Sequence, residues 1–600
     1  MHPSVRNRVS WRPWAAACLS ALLLELPFPL AGPLPPWRSV FAWIGLVPLL
    51  IVLLSPRFSG SPRPLRRGFF LGYLAGFLWY MGNCYWVRDT MMRYGDMPPM
   101  APTLLLIGFS LVLGLYWGLF GLGLALVRRA TGSVRLALIF APFLWTTLEL
   151  AAARITSVPW DQLGYSQVDN SFLTLLAPWT GVYGVSFVLV AVNALLAGGL
   201  LLGREIGNPL LKRFHSFRDL LSTVKGGIFL RRMPLCIEAS GNSYCGTAMG
   251  RRAWASCGAV LLIAGFAGVF AAPSKPSTIA TAVLIQPNLD VGNDTTWGSA
   301  GWDRHVAEFA QQAGITCRSF IEGIPQTGAP VVMPQCPVPQ QRPNLVAWPE
   351  SPAPFIQTDR RFNQAMAEVA SAAQAPLIIG GIGDDYGQAG QDWRYYNSAM
   401  VFGPSGKGIG RYDKIHLVPF GEYIPFQNLL TFAHKLTGRV SSFSRGSDRK
   451  VFFLDASDGE VHRYGVFICY EAVFADEVRH FAKNGAQVLV NISDDGWYGD
   501  TSAPWQHLNM ARMRAVENRR WILRDTNNGI TAAIDPYGTV RQSILRHQAG
   551  ALAAQFGYRD DITFYTAHGD VFAWLCAMAS LALLASLVVR GRKERIVSSG

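Results

Sequence analysis

Two hydrophobic rhythms divide this chain. Over the first 272 residues, and again near the C-terminus, apolar residues run almost unbroken, whereas 275–570 alternates short β-rich runs with helical patterns. A helix needs about 20 apolar residues to cross the hydrocarbon of a bilayer, because each residue adds only about 1.5 Å along the axis. About eight segments meet that length, near 13–31, 36–55, 68–87, 102–127, 134–153, 181–203, 254–272 and 571–589. The sixth has an earlier alternative start, since 172–180 is apolar too but is interrupted by Pro178 and Gly181. The first follows Arg6, Arg8 and Arg12 as a signal peptide does, but no A-x-A cleavage site follows it, so it reads as a retained helix.

Within 275–570, period-two and short apolar runs predict strands at Ala282–Gln286, Leu345–Trp348, Pro376–Ile379, Ser398–Phe402, Tyr464–Cys469, Val488–Ile492 and Ile530–Ile534. Helical patterns fall between several of them, most clearly at Phe362–Ala373 and Pro504–Arg519. Alternation of this kind predicts an α/β unit or a layered α-β-β-α one. The expected organisation is a membrane part over 1–272 with seven helices and a cytoplasmic loop near 204–253, a soluble part over 275–570, and a last helix and tail over 571–600.

Charge sets the orientation of this arrangement, because Lys and Arg in short loops stay on the cytoplasmic side. With the N-terminus inside, the inside loops carry Arg57, Arg63, Arg66 and Arg67, then Arg128, Arg129 and Arg135, then Arg204, Lys212, Arg213, Arg218 and Lys225. The tail, with Arg590, Arg592, Lys593 and Arg595, falls inside as well. The opposite short loops hold only Arg38, Arg88, Arg93 and Arg154. Eight crossings fit this distribution and put 275–570 outside, in a periplasm or its equivalent. The net charge of +14 then follows from topology and calls for no nucleic-acid partner. Glu149 and Arg154 near the end of the fifth span either pair, as intramembrane charges usually do, or both reach the interface.

The nine cysteines include no C-x-x-C pair, so neither a zinc ribbon nor a dithiol redox motif is present, and no metal or cofactor is expected. Cys317 and Cys336 sit in a Pro- and Gln-rich stretch near 313–345, where a disulfide and two unrelated thiols are equally open readings.

Chemistry concentrates in three short motifs: Trp348-Pro349-Glu350, Lys414 opening K-I-H-L-V-P-F-G-E to Glu422, and Cys469-Tyr470-Glu471. Glu350 and Cys469 each follow a strand pattern, which places both at a sheet rim. A thiol is largely protonated at neutral pH, so a nucleophilic Cys469 needs a base, and Glu350 can take that proton. Attack on an ester or amide carbonyl puts charge on its oxygen, which Lys414 and a backbone N–H near the cysteine would stabilise. Taken singly, a Cys in V-F-I-C-Y is more often a core residue, and Glu350 and Lys414 are more often a turn carboxylate and a solvated cation. If the strand stays extended, period two puts Cys469 and Glu471 on one face and Tyr470 on the other.

Together these motifs resemble the Glu-Lys-Cys triad of the nitrilase superfamily, and within it the apolipoprotein N-acyltransferase family. N-I-S-D-D-G-W-Y-G-D from Asn491, P-W-Q-H-L-N-M-A-R-M-R-A-V-E from Pro504 and T-N-N-G-I-T-A-A-I-D-P-Y-G from Thr526 extend the likeness. So do T-F-Y-T-A-H-G-D ending at Asp570, V-P-W-D-Q-L-G-Y-S-Q from Val158 and G-V-Y-G-V-S-F from Gly181. The resemblance implies a multi-pass membrane protein with an inserted nitrilase-like α-β-β-α sandwich, in a bacterial inner membrane with the catalytic part in the periplasm. It implies transfer of an acyl chain from a phospholipid, through a Cys469 thioester, to the α-amino group of a diacylglyceryl-cysteine at an apolipoprotein N-terminus. It also brings Glu422, Tyr470 and Glu471 into the site, and either Trp297 or Trp302 to the substrate. Rival readings are a membrane-tethered amidase acting on small amides with the same triad and a membrane scaffold without activity. The stretches near 204–253 and 313–345 are longer than the resemblance leads one to expect.

Overall fold

The computed structural model describes residues 11–55, 63–94, 98–202, 245–271, 275–291, 299–312, 342–350, 355–385, 393–419, 421–423 and 443–599. Helices stand at every predicted crossing. They are α1 (Arg12–Glu25), α2 (Val47–Leu54) after a 3-10 stretch at Pro36–Trp43, and α3 (Pro64–Asn83). After the short α4 (Trp86–Tyr94) come α5 (Met100–Thr131), α6 (Val134–Ile155), α7 (Val182–Leu201), α8 (Cys245–Ala267) and, at the C-terminus, Val571–Ser599. Among the described residues, length and composition qualify five as membrane-spanning: Pro36–Leu54, α5, α6, α7 and Val571–Val589. The other three expected crossings fall on helices that are shorter or more polar. α1 has 14 residues, the apolar part of α8 is Arg252–Ala267, and α3 carries Arg66 and Arg67 near its start.

Local chemistry explains the helix ends and the tightest packing. Gly132 takes the left-handed conformation that closes α5, with φ of 67°, and the Ser133 hydroxyl then accepts the Leu136 N–H to open α6. α3 and α5 approach almost backbone to backbone, where a Cβ on Gly72 would fall 2.2 Å from the Trp117 carbonyl oxygen and one on Gly121 2.2 Å from that of Gly68. Small residues at four-residue spacing are what lets membrane helices meet this closely.

The soluble part holds two six-stranded sheets. Its strands are β1 (Ala280–Gln286), β2 (Leu345–Trp348), β3 (Leu377–Asp385), β4 (Arg394–Phe402), β5 (Gly408–Asp413) and β6 (Val451–Asp455). They continue as β7 (Val461–Ile468), β8 (Val488–Ser493), β9 (Ile522–Thr526), β10 (Thr531–Ile534), β11 (Val540–Ile544) and β12 (Gly550–Phe556). One sheet has the order β12-β1-β2-β3-β4-β5, the other β11-β10-β9-β8-β7-β6. Each has a parallel centre, β1-β2-β3 and β7-β8-β9, flanked by antiparallel strands. Helix α9 (Ser299–Gln312) and helix α10 (Arg360–Ala373) bury Phe309, Phe362 and Met366 against the first sheet. Helix α11 (Ala475–Lys483) and helix α12 (Ala503–Asn518) cover the second. Hydrogen bonds such as Thr526 Oγ1 to Gln286 Oε1, at 3.3 Å, join the sheets face to face. The α-β-β-α layering expected from the sequence is therefore present.

Helix α12 also explains how the two parts hold together. Gln506, Asn509, Arg514 and Glu517 are all buried on it despite being polar. Buried polar groups need partners, and three of these find them on the membrane side. Gln506 Nε2 donates to Asn83 Oδ1 at 3.0 Å, Arg514 Nη2 donates to the Tyr165 hydroxyl at 2.9 Å, and Glu517 Oε1 accepts the Val182 N–H at 3.0 Å. Arg154 reaches into the soluble part as well, to Asp476 at 2.9 Å and Asp570 at 2.5 Å. It does not pair with Glu149, which accepts from Trp145 Nε1 and Leu163 N, each at 2.9 Å. Five residues apart at about 100° each, the two side chains leave the helix on different faces.

Candidate active site

Glu350 lies just beyond β2, Lys414 just beyond β5 and Cys469 just beyond β7. Glu350 and Cys469 therefore end strands of two different sheets, not one rim of a single sheet, and the sandwich brings the two rims together. Carboxyl ends of parallel strands are where open α/β sheets gather ligands.

Lys414 is 1% exposed in its side chain, and its ammonium lies 2.9 Å from both Glu350 Oε1 and Glu422 Oε1. Asn397 Nδ2 donates to the same two oxygens, at 2.7 and 2.6 Å. The second oxygen of Glu350 accepts the Asp494 N–H at 3.0 Å, and that of Glu422 accepts the Val418 N–H at 2.8 Å. Burial opposes a charge on Lys414, but Glu350 and then Glu422 outweigh it and hold the ammonium well above its usual range. The Cys469 thiol is pushed well up by burial and by Glu350, while Lys414 pulls it down. It is therefore a thiol at rest, with a carboxylate and an ammonium close enough to act on its charge. Asp494, buried and next to Glu350, is pushed up to about 8.

Cys469 departs from the extended strand expected through Glu471. Strand β7 ends at Ile468, Cys469 has φ of 45°, and 469–473 forms a 3-10 turn. A left-handed conformation costs a residue with a Cβ about 1–2 kcal/mol, so the surroundings must impose it. Glu471 supplies part of that constraint by folding back. Its Oε2 accepts the Ile468 N–H at 2.7 Å and its Oε1 accepts the Ile415 and His416 N–H groups at 2.6 and 3.1 Å. Tyr412 donates its hydroxyl to the same carboxylate at 2.8 Å. One carboxylate thus ties the turn bearing Cys469 to the segment bearing Lys414. Burial pushes Glu471 up to about 7 against the pull of the Ile468 and Ile415 N–H groups.

Tyr470 points toward the membrane part, where its hydroxyl donates to the Ser157 carbonyl at 3.3 Å and its ring stacks on Trp160 at 6.4 Å. Trp302 is buried in the helical layer of the first sheet, edge-on to Phe355 and beneath the Arg361 guanidinium. Trp297, Cys317 and Cys336 lie outside the described residues, as do most of 204–253 and 313–345. Among the described residues, no group of three His, Cys, Asp or Glu side chains could hold a metal ion.

Three groups around the site carried no assignment from sequence. Asn397 joins Glu350 to Glu422, the 495–498 turn lies against α4 through a Tyr94 hydroxyl bond to the Gly496 carbonyl of 2.7 Å, and His507 bonds the Cys469 carbonyl. The N-I-S-D-D-G and P-W-Q-H motifs pointed to two of them, without showing that segments so far apart in the chain converge.

Comparison with known proteins bears on what this arrangement belongs to. Residues 20–195 match the apolipoprotein N-acyltransferase N-terminal domain, and residues 302–555, which contain Glu350, Lys414 and Cys469, match the carbon-nitrogen hydrolase family. Apolipoprotein N-acyltransferase from Geobacter metallireducens is 31% identical over 582 residues, 96% of each chain. The chain belongs to the apolipoprotein N-acyltransferase family. A relative of the same description from Allorhizobium ampelinum is 30% identical over 553 residues, 90% of each chain. Among solved structures, Saccharomyces cerevisiae Nit3, of the nitrilase superfamily, aligns with 50% of this chain and 97% of its own at 17% identity and a TM-score of 0.32.

Proposed function

We propose that this protein transfers an acyl chain from a membrane phospholipid to the α-amino group of the S-diacylglyceryl-cysteine at the N-terminus of apolipoproteins, through a thioester on Cys469. The observation that carries the reading is the buried Lys414 ammonium between Glu350 and Glu422, beside a cysteine held in a left-handed turn. In the first half-reaction the Cys469 sulfur bonds to the donor carbonyl carbon while Glu350 takes the thiol proton. Lys414 and the Tyr470 N–H stabilise the oxyanion. Collapse breaks the ester bond, and the lysophospholipid leaves with the proton from Glu350. In the second, the acceptor amine attacks the thioester, gives its proton to Glu350 and releases the thiol.

The surroundings suit this chemistry. Both substrates are anchored in a bilayer, so a site fastened to membrane helices by α12 meets them where they are. Cationic loop parity supports an exterior position for the catalytic part, 275–570, between the 1–272 helices and the 571–600 anchor, and family membership supports reading that exterior as the periplasm of a bacterial inner membrane. No cofactor enters any step.

The test is N-acylation of a synthetic diacylated lipopeptide by the purified protein in phospholipid micelles. Wild type is expected to acylate it with ping-pong kinetics, and Cys469→Ala to give no product. Acylation by Cys469→Ala at the wild-type rate contradicts the thioester, and release of free fatty acid to water in place of acylation contradicts the acceptor.

A further inference from the structure

His507 holds the one backbone group that fixes the direction of the peptide following Cys469. Its Nε2 lies 3.0 Å from the Cys469 carbonyl oxygen. A carbonyl can only accept, so Nε2 carries a proton. Across the ring, Nδ1 lies 3.1 Å from Arg524 Nη2 and 3.0 Å from Asp495 Oδ1. Arg524 Nη2 donates to Asp495 Oδ2 at 2.6 Å, and the Ser493 hydroxyl donates to Asp495 Oδ1 at 3.0 Å. His507, Asp495 and Arg524 have no exposed side-chain surface. Burial, and then Arg524, hold the imidazole below its usual range, and Arg524 and Asp495 both lie within hydrogen-bond distance of Nδ1.

The consequence follows from amide geometry. The Cys469 carbonyl and the Tyr470 N–H belong to one planar trans peptide and point in opposite directions, so fixing the first aims the second. The Tyr470 N–H is among the first N–H groups of the 469–473 turn, which have no partner within the turn. A hydrogen bond to the carbonyl also polarises the amide and strengthens its N–H as a donor.

We propose that His507 is a positioning residue for acyl transfer: held by Arg524 and Asp495, it clamps the Cys469–Tyr470 peptide so that the Tyr470 N–H faces the oxyanion of the tetrahedral intermediate. This rests on Cys469 being the acylated nucleophile. As the sulfur–carbon bond forms, the carbonyl π electrons move to oxygen and the thiol proton moves to Glu350, and the new charge meets Lys414 and the clamped N–H.

Two reactions of Cys469 separate this role from a merely structural one. Single-turnover acylation by a phospholipid forms an oxyanion, whereas alkylation by iodoacetamide displaces iodide without forming one. His507→Gln keeps an N–H donor near the Nε2 position, and His507→Leu has none. Both variants are expected to alkylate at the wild-type rate, while the Leu variant acylates about 10²-fold more slowly and the Gln variant recovers at least about tenfold of that loss. Acylation by the Leu variant at the wild-type rate overturns the proposal. So does a parallel loss of alkylation and acylation, or a Gln variant as slow as the Leu one. Absence of any acyl adduct in wild type refutes the nucleophile itself and not the clamp.

Discussion

Glu471→Gln changes the site by one atom, and the structure states what that atom does. The carboxylate accepts from two sides: Ile415 and His416 N–H on Oε1, Ile468 N–H on Oε2, with Tyr412 reaching both. A glutamine has one accepting end. Turned to keep the Ile415 and His416 bonds, it sets its NH₂ against the Ile468 N–H, where a 2.7 Å contact becomes donor against donor. One backbone bond is lost and one N–H is left unpaired in the interior, a cost of about 1–3 kcal/mol. Because the Cys469 turn can relieve that cost by moving away, the fraction of molecules with sulfur, Glu350 and Lys414 in register falls by roughly tenfold to hundredfold, at about 1.4 kcal/mol per factor of ten. The assay is the rate of acyl-Cys469 formation from phospholipid in detergent, followed by intact mass. Tyr412→Phe, which leaves all three N–H bonds in place, is expected to fall by less than tenfold, for about 1 kcal/mol lost. Acylation by Glu471→Gln at the wild-type rate refutes the reasoning.

Glu350→Gln and Lys414→Met are each expected to lower thioester formation by at least about 10² to 10³-fold while the protein stays folded in the membrane, checked by adduct formation and solubilised yield. Asp494 gives a pH dependence. Burial and Glu350 push it up from 3.8 to about 8, so the folded protein binds a proton that the unfolded chain has released, and its stabilising contribution, complete below pH 3.8, is lost as pH rises through about 8. Asp494→Asn does not titrate, so its unfolding midpoint is expected to fall less steeply than that of wild type from pH 5 to 8, and parallel curves contradict the assignment. A reporter active only in the periplasm, fused after about residue 280, is expected to be on, with its cytoplasmic counterpart silent.

The long-period features of this fold are readable from sequence because they are local. Apolar runs mark helices wherever they occur, and strands such as Leu345–Trp348 announce themselves by β-branched and aromatic side chains. Five strands escaped, and apart from the apolar β6, V-F-F-L-D, they are those whose residues deny the pattern. β5 is G-I-G-R-Y-D, β9 buries Arg524 and Asp525, β11 is the partly exposed edge V-R-Q-S-I, and β12 is rich in Ala. They form because neighbouring strands supply ladder partners, which no window of one strand contains. Glu350, Lys414 and Cys469 were readable as motifs, yet the motif did not show that β7 stops at Ile468, since I-C-Y-E continues the alternation and only the hydrogen bonds of Glu471 and His507 reveal the turn. The partners of Arg154 were not readable for the same reason: Asp476 and Asp570 lie more than 300 residues away.

The covalent step at Cys469 is the centre of the proposed mechanism. Purified wild-type protein incubated with a phospholipid of one defined acyl chain, without any amine acceptor, is digested and its Cys469 peptide weighed. The expected result is a mass increase equal to that acyl group on Cys469, matched by one lysophospholipid per protein and discharged on adding a diacylated lipopeptide. A Cys469 peptide that stays unmodified while the lipopeptide, once added, is N-acylated at the full rate contradicts it.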